Sequence, residues 1–410
     1  MTDTDTLERA RGHFFDGNTH FEAGRLAEAR HSYQQALALV PGRPSVLANL
    51  GVTECRMGLW DEAVAHLAPA TVADPAHRDA WVALGLSHEA LGHWQAAVDA
   101  LREGLHLGAG TPQLWLSLAL CQLHLEQPAP ALASLDQALA LDPTLGEAWS
   151  QRGGLLRDAG RFDEAARCFE QALTHGADAD LNRFYLASVR ASGAGGIDEG
   201  VPPQPPRAYV ESLFNEYAGD FQTHLVEQLN YQAHRTLLAP LRESGRHFPL
   251  VLDLGCGTGL CGQIIRDRAD AVDGVDLAEA MVARARQGGA YRRVVHGDLL
   301  GFLREQAEPV DLVIAADVFI YVGALDEVFA AVRSCLRPGG ALAFSVELAS
   351  GEPGLQLRPS LRYAHTPAYV AHLAQAHGFQ VRQQWQAPLR EDQRQPVMGL
   401  YVWLEPALAA

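Results

Sequence analysis

Lysine is absent from this sequence of 410 residues, and its 32 residues of constant positive charge are all arginine. The absence excludes chemistry that needs a lysine amine, such as Schiff-base formation or the phosphate-binding lysines of P-loop and kinase sites. The chain also has 49 acidic residues, so its formal net charge is −17. A field of that sign repels phosphate backbones and anionic lipid surfaces. We therefore expect no bulk nucleic-acid binding and no membrane partner.

Cysteine is sparse as well. The six cysteines form no C-x-x-C pair and no Cys/His cluster at the spacing of a zinc site. No stretch approaches the roughly 18 uncharged apolar residues of a membrane span. The N-terminal region lacks the basic and then apolar segments of a signal peptide. These absences predict a cytoplasmic protein without disulfides or a metal site.

The N-terminal part of the chain repeats itself every 34 residues, without gaps, over residues 10–179. The eighth, twentieth and twenty-seventh positions of every copy carry glycine or alanine. Trp81, Trp115 and Trp149 occupy the fourth position of the last three copies. Proline closes three of the copies, where a helix would have to stop. The five copies begin at Ala10, Pro44, Arg78, Pro112 and Gly146.

This pattern resembles the tetratricopeptide repeat. The resemblance implies helix pairs that stack into an all-α solenoid over residues 1–191, with residues 180–190 as a capping helix. It also implies a protein or peptide partner in the concave groove. The Lys/Asn arrangement that grips a terminal carboxylate in some members of the family is missing. A second interpretation stays open, in which the array only dimerises the protein or shields a face of the next domain.

Residues 192–206 are rich in Gly, Ser and Pro and predict an exposed linker. Beyond it, short apolar runs alternate with helical stretches, which indicates a doubly wound α/β sheet in a second domain, 207–410. Ligand sites in such sheets lie at the carboxyl ends of the strands. The runs are 249–255, 270–276, 292–298, 309–318, 341–347 and 399–405.

The first of these runs ends in LDLGCGTG, residues 252–259. Its glycines allow a sharp turn that brings the backbone against a ligand. Gly257, Gly259 and Gly262 also satisfy the dinucleotide-binding fingerprint. Asp276 stands 19 residues after Gly257, where either family would place a ribose-binding carboxylate. The glycine pattern alone therefore leaves both families open.

Four later segments follow in a fixed order: VDLAEAM (275–281), GDL (297–299), ADVFIYV (316–322) and LRPGG (336–340). With LDLGCGTG they resemble the class I S-adenosylmethionine-dependent methyltransferases, and the whole chain resembles a bacterial group in which tetratricopeptide repeats precede a predicted methyltransferase. The resemblance implies a Rossmann-like domain with a seven-stranded, mostly parallel sheet.

It also implies how the cofactor S-adenosyl-L-methionine is held. Gly255, Gly257 and Gly259 would approach its methionine part, and Asp253 of the same motif is counted with the cofactor-binding residues. Asp276 would accept both ribose hydroxyls, a bidentate contact that suits a carboxylate.

Adenine is expected near the third strand. Asp298 would accept from its amino group, and the Leu299 amide would meet the ring. Leu277 and Met281 would give apolar cover.

Two further residues are assigned to the cofactor site. Asp317, after the fourth strand, would border the methyl donor, and Tyr217 is the candidate for a lid. Each carboxylate could instead be a solvated loop charge or a helix cap. Tyr217 could equally belong to an aromatic stripe that packs its helix on the sheet.

The reaction implied is an in-line attack on a sulfonium methyl group, with a base only where the acceptor holds a proton. Tyr321, Glu347 and His365 are the candidates for that base, and each could also be a satisfied core or loop group. ADVF stands where amino methyltransferases carry N/D-P-P-Y, so the acceptor atom is oxygen, carbon, sulfur or another nitrogen. Two functions stay open: a methyltransferase whose repeats recruit a protein, peptide or carrier-bound substrate, and an interaction scaffold with a weak or inactive methyltransferase domain.

Overall fold

The computed structural model divides into two compact units. The first is Met1–Leu156 with Gln171–Ala177, and the second is Arg157–Glu170 with Asp178–Ala410. Within the part of the chain that the structure describes, none of the helices has the length and apolar composition of a membrane span. The residues described are 3–190, 201–207, 209–211, 213, 231–241, 245–351, 354–392 and 395–407.

The repeat region is helical throughout, as its period predicts. From α3 onward, the first helix of each pair begins at the first residue of a predicted copy; only α1 starts earlier than Ala10. The helices are α1 Asp3–Glu22, α2 Leu26–Leu39, α3 Pro44–Arg56, α4 Trp60–Ala73, α5 Arg78–Ala90, α6 Trp94–His106, α7 Pro112–His124, α8 Pro128–Leu141, α9 Gly146–Asp158, α10 Phe162–Thr174 and α11 Ala179–Arg190.

The two helices of a pair touch through the small residues of the repeat. A Cβ atom on Gly51 would lie 2.5 Å from Cγ of Leu67, and one on Gly85 would lie 2.6 Å from Cδ2 of Leu101. A larger side chain would therefore force the pair apart. The alanines at the twentieth position are all fully buried: Ala29, Ala63, Ala97, Ala131 and Ala165.

The helix after the last repeat, α11, makes contacts on two sides. The ring of Tyr185 packs against Phe169 of α10, with centroids 5.3 Å apart. Phe184 is fully buried in a cluster that includes Leu357 and Tyr363 of the sheet domain. The predicted capping role accounts for the contact with Phe169 but not for the burial of Phe184 against the sheet. All of these residues belong to the second unit.

The described end of the predicted linker is partly packed: Pro203 and Gln204 are exposed, but their neighbours make contacts. The carbonyl oxygen of Pro202 accepts a hydrogen bond from the Tyr363 hydroxyl at 2.6 Å. The carbonyl of Pro203 accepts from the backbone N–H of Ala324 at 2.8 Å, and Pro205 is buried. These contacts join residues 202–205 to Ala324 and Tyr363 within the second unit.

The second unit is built on one sheet, with nine strands among the described residues. Its main path runs β3-β2-β1-β4-β5-β9-β8, and the steps from β3 to β5 are parallel. The strand β9 is antiparallel to both β5 and β8. The strands are β1 Phe248–Leu254, β2 Ala269–Asp276, β3 Arg293–His296, β4 Val310–Ala315, β5 Leu336–Leu348, β6 Leu355–Leu357, β7 Tyr363–His365, β8 Phe379–Asp392 and β9 Gln395–Pro406.

This path gives the seven strands that the resemblance implies, and the short pair β6–β7 is an addition to them. The pair joins the sheet where the last residues of β5 pair with β7. The helices between the strands are α12 Ala233–Leu238, α13 Leu260–Ile265, α14 Glu279–Gln287, α15 Leu299–Arg304, α16 Asp326–Cys335 and α17 Pro367–Ala376.

The central strands are buried on both faces, as their continuous apolar runs predict. In β1, Leu252 belongs to one core cluster and its neighbour Val251 to another, because successive side chains of a strand point to opposite faces. Every residue of β4 is buried. The parallel strands β1 to β4 therefore present their carboxyl ends, and the motif loops that follow them, along one edge of the sheet.

Candidate functional site

A cavity of about 520 Å³ lies at the carboxyl ends of β1 to β4. It brings together loops that are far apart in the chain. Most of the residues that the sequence assigns to the site line it: Gly255, Gly257, Asp276, Leu277, Met281, Asp298, Leu299, Asp317 and Tyr321.

The turn after β1 is left-handed at each of its glycines, with φ of +62° at Gly255, +52° at Gly257 and +96° at Gly259. Side chains are disfavoured in this region of backbone conformation. A Cβ atom on Gly255 would lie 2.6 Å from Cγ2 of Val318, whereas one on Gly257 would meet nothing within 4 Å. Because Gly257 lines the cavity, a side chain there would occupy ligand space. Gly259 is the N-cap of α13 and is not part of the cavity wall.

Asp276 ties this turn to the end of β2. One carboxylate oxygen accepts a hydrogen bond from the N–H of Gly257 at 2.8 Å, and the other accepts from the N–H of Ala278 at 3.0 Å. Burial raises the pKa of Asp276, and the two N–H groups oppose that rise. The carboxylate is thus fixed at the cavity wall.

Asp253 does not reach the cavity. It is buried, and it accepts a hydrogen bond of 2.6 Å from the hydroxyl of Tyr291. The same hydroxyl accepts from the N–H of Gly262 at 3.2 Å, and a Cβ atom on Gly262 would lie 2.4 Å from Cζ of Tyr291. Gly262, the third glycine of the dinucleotide-type pattern, therefore leaves space for the ring of Tyr291. Asp253 stabilises the turn through that tyrosine and has no contact with the cavity.

Asp253 leads to a prediction about pH. Burial raises its pKa to about 7; the bond from Tyr291 opposes this, and the charge of Asp276 adds to it. In the unfolded chain the same carboxyl titrates near pH 3.9. Between these two pH values the folded state holds more protons than the unfolded state, so this group lowers the free energy of unfolding as the pH rises from about 4 to about 7. Above that window its effect is constant.

Asp253→Asn keeps an acceptor for Tyr291 and removes the ionisation. We expect urea unfolding to show a smaller loss of stability between pH 5 and pH 8 in this variant than in the unchanged chain. Asp270→Asn is the control, because the side chain of Asp270 is 69% exposed. An equal loss in the Asp253 variant and the unchanged chain would contradict the burial of a titrating carboxyl.

The predicted adenine residues lie after β3 and on α14. Asp298 is the N-cap of α15, and its side chain accepts from the N–H of Gly301 at 2.8 Å. Met281 is fully buried, and Leu277 and Leu299 complete this part of the wall. Leu277, Met281 and Leu299 thus form an apolar part of the cavity wall, and the carboxylate of Asp298 lies beside it.

Asp317, after β4, has a left-handed backbone with φ of +58°. Its N–H donates to the Ser345 hydroxyl at 2.9 Å. Both of its carboxylate oxygens accept from Nη1 of Arg390 at 3.1 Å, and Nη2 of Arg390 donates to Glu347 at 2.7 Å. Burial raises the pKa of Asp317, and the charges of Arg390 and Arg362 oppose that rise. The carboxylate is therefore engaged by an arginine that the sequence pattern did not indicate.

Only one of the three predicted bases lines the cavity. The Tyr321 hydroxyl accepts from Nε of Arg362 at 3.4 Å. Glu347 is buried outside the cavity wall, between Arg390 and Arg358.

His365 is fully buried, and its Nε2 donates to the carbonyl of Gly323 at 2.7 Å. Burial lowers the pKa of His365 to about 4. Glu347 and His365, two of the three predicted bases, are thus buried and lie outside the wall of this cavity.

Thr258 and His234 also line the cavity, and the sequence pattern does not assign them to the site. The Oγ1 atom of Thr258 and the Nδ1 atom of His234 are buried and have no hydrogen-bond partner among the described residues. Buried polar atoms are usually paired, so both are candidates for ligand contacts. Thr258 stands within the LDLGCGTG motif, whereas nothing in the local pattern marks His234. Tyr217, the predicted lid, lies outside the described residues.

Comparison with protein families agrees with this architecture. Residues 251–340 match the methyltransferase domain family. Residues 20–85, 82–145 and 146–176 match tetratricopeptide repeat families. The methyltransferase match includes the glycine turn and the loops after β1 to β4 that line the cavity. The tetratricopeptide matches lie within the region of the 34-residue period.

Individual proteins resemble one part of the chain or the other. Malonyl-[acyl-carrier protein] O-methyltransferase of Enterobacter lignolyticus is 31% identical over 156 residues, which is 38% of this chain and 60% of that protein. The TPR repeat-containing protein YpiA of Bacillus subtilis is 25% identical over 167 residues, 41% of this chain and 39% of that protein. Each alignment therefore spans less than two thirds of its relative.

Among solved structures, 1,6-didemethyltoxoflavin-N1-methyltransferase of Burkholderia thailandensis is 20% identical, with a TM-score of 0.40 over 52% of this chain and 99% of that one. The family matches and the fold agree on the order of the parts. The chain carries tetratricopeptide repeats at its N-terminus, followed by a methyltransferase domain.

Proposed function

We propose that the chain transfers a methyl group from S-adenosyl-L-methionine to an acceptor that its repeats recruit. One observation carries the proposal: the glycine turn, Asp276 and Asp298 follow three adjacent parallel strands and meet at one cavity. When bound, the cofactor supplies a methyl group that its positively charged sulfur activates.

The residues of the cavity fit this cofactor. The side-chain-free edge at Gly257 leaves room for its methionine part, and the unpaired hydroxyl of Thr258 lies at the same turn. Asp276 already accepts one N–H on each oxygen, and each oxygen keeps a lone pair for a ribose hydroxyl. Asp298 and the buried Met281 suit the polar edge and the face of adenine.

The domain's own task is alignment and exclusion of water, because the methyl group arrives activated. Apolar residues dominate the wall around Met281 and Val318. Asp317 is held in place by Arg390, and Tyr321 is the predicted catalytic candidate that remains at the cavity. Gly259 and Asp253 would stabilise the turn, Gly259 as the N-cap of α13 and Asp253 through Tyr291, without touching the cofactor.

Recruitment by the repeats has two supports. Tetratricopeptide arrays stack into extended surfaces on which partners bind. In addition, the relative from Enterobacter lignolyticus is named for an acceptor carried on a protein, malonyl-[acyl-carrier protein]. A protein, a peptide or a carrier-bound substrate on the repeats would place the acceptor near a separate catalytic domain.

A truncated chain tests recruitment. Removing residues 1–144 deletes the first four repeats but keeps α11, whose Phe184 is buried in the second unit. We expect the dissociation constant for the cofactor to stay within about twofold, while labelling of the acceptor in cell lysate by tritiated cofactor falls at least about fivefold, as loss of local concentration predicts. Equal labelling by both chains would contradict recruitment and leave methyl transfer standing. No labelling by the full chain would contradict transfer itself.

A further inference from the structure

One side of the cavity carries arginine. Beyond the residues proposed for the cofactor, its wall includes Tyr321, Arg362, Arg390 and His234. We name these four residues the acceptor lobe. They come from the loop after β4, the residue before β7, the end of β8 and α12, so only the folded sheet brings them together.

Arg390 is fixed in one orientation. Its side chain is 3% exposed, and its two terminal nitrogens are bound to Asp317 and Glu347. Its third donor, Nε, is buried and has no hydrogen-bond partner within the described part of the chain. An unpaired donor on a buried cation is costly unless a ligand completes it.

Arg362 adds a second cation to the same wall. Burial disfavours its charge, but the neighbouring Tyr321, Asp317 and Glu347 raise its pKa, so the guanidinium stays protonated. Glu391 also lines the cavity, and it is engaged in an interaction of its own. Arg390 has its Nε donor left for a ligand, and a charge-assisted hydrogen bond from a guanidinium to a carboxylate is strong where water is excluded.

Two groups at the lobe, Asp317 and His234, are poor bases. Asp317, beside the lobe, is bound by Arg390 through both oxygens. Burial, and to a smaller extent the charge of Arg235, lower the pKa of His234 to about 4. Neither group is suited to remove a proton from a hydroxyl, amine or thiol. A carboxylate needs no such base, because it has already lost its proton at pH 7.

From this geometry we infer that the methyl acceptor is a carboxylate, bound by Arg390 and Arg362 in the acceptor lobe; the inference rests on the proposed methyl transfer. A carboxylate oxygen supplies the electron pair for the new O–CH₃ bond. The S–CH₃ bond breaks, and its electron pair stays on sulfur. No proton moves, and the products are a neutral methyl ester and a thioether.

The chemical stability of the product tests the inference on the unchanged protein. The full chain is incubated with cofactor tritiated on its methyl group and with a dialysed lysate of the cells that express it. The labelled material is then treated with mild alkali. Methyl esters hydrolyse and release volatile tritiated methanol, whereas methyl groups on nitrogen, carbon, sulfur or an ether oxygen stay attached. We expect most of the label to become volatile.

Variants of arginines inside and outside the cavity show whether the acceptor lobe is needed for the alkali-labile label. Arg390→Gln and Arg362→Gln should each reduce the alkali-labile label at least about fivefold. Arg362→Gln should do so with the dissociation constant for the cofactor, measured by calorimetry, within about twofold of the original. Arg390 also holds Asp317, so the cofactor affinity of its variant is not used as a criterion. Arg382→Gln is the control: Arg382 is also on β8, but it is half exposed and pairs with Glu405. It should leave both quantities unchanged.

The outcomes separate the two proposals. Label that resists alkali, or undiminished labelling by both cavity variants, overturns the carboxylate inference and leaves methyl transfer in place. A full chain that transfers no label overturns both. The alkali test does not depend on whether a variant folds.

Discussion

Gly257→Ala should weaken the binding of S-adenosyl-L-methionine by roughly thirtyfold, or about 2 kcal/mol, in a protein that still folds. The added methyl group would project into the cavity, since it would meet no protein atom within 4 Å and Gly257 lines the cavity wall. The left-handed backbone at this glycine, φ +52°, adds about 1 kcal/mol of strain to the folded state. The N–H that reaches Asp276 stays in place.

Gly289→Ala is the matched control for this variant. Gly289 also has a left-handed backbone, φ +65°, and a Cβ atom there would also meet nothing within 4 Å, but Gly289 is not part of the cavity wall. Thermal unfolding should show a similar small loss of stability in both variants. Calorimetric titration should show weaker cofactor binding in the Gly257 variant alone. Equal affinities in the two variants would mean that the glycine turn does not face the cofactor.

Asp276→Ala should weaken cofactor binding by about 1.5 to 3 kcal/mol, roughly 10- to 150-fold, as expected for the loss of a charged hydrogen-bond acceptor. The variant loses two things at once: the acceptor proposed for the ribose hydroxyls, and the tether between β2 and the N–H of Gly257. Asp276→Asn keeps one acceptor oxygen, so its affinity should be intermediate.

Asp270→Ala provides the reference for the Asp276 variants. Asp270 lies near the start of β2, and its side chain is exposed, so its removal should leave the affinity unchanged. The dissociation constants come from the same titration. An Asp276→Ala chain that binds the cofactor as well as the Asp270→Ala chain would contradict the assignment.

The repeat region was predictable because its information is local and periodic. The small residues seen at Gly51 and Ala63 recur every 34 residues, and each copy specifies the same helix pair. Five copies in the same register therefore fix where each helix begins. The first helices begin at Pro44 and at the corresponding residues of the later copies. What the period did not reveal is the second contact of α11, because burial of Phe184 against Tyr363 depends on a distant part of the chain.

The sheet was predictable where its strands are apolar. The continuous run in β4 identified a central strand, because only a strand covered on both faces can be apolar throughout. The strand β8 escaped prediction, since FQVRQQWQAPLRED is mostly polar and is held by pairing along β9. The three-residue strands β6 and β7 are too short to leave a pattern.

The same reason explains which parts of the site the sequence could not predict. The residues of the cofactor half lie in short motifs that follow predicted strands, and the structure brings most of them to one cavity. Arg390 is 73 positions along the chain from its partner Asp317, and no local sequence pattern predicts that contact. The position of His365 near a strand end is visible in the sequence, but its full burial, which lowers its pKa, is a property of the packed fold.

Calorimetric titration of the full chain with S-adenosyl-L-methionine tests the central claim most directly. The account predicts saturable heat that fits one site per chain and disappears when the titration is repeated in excess S-adenosylhomocysteine, the competing product. No heat at about 1 mM ligand, where even an affinity of about −4 kcal/mol would register, would contradict the cofactor site. The repeats alone would then carry the function.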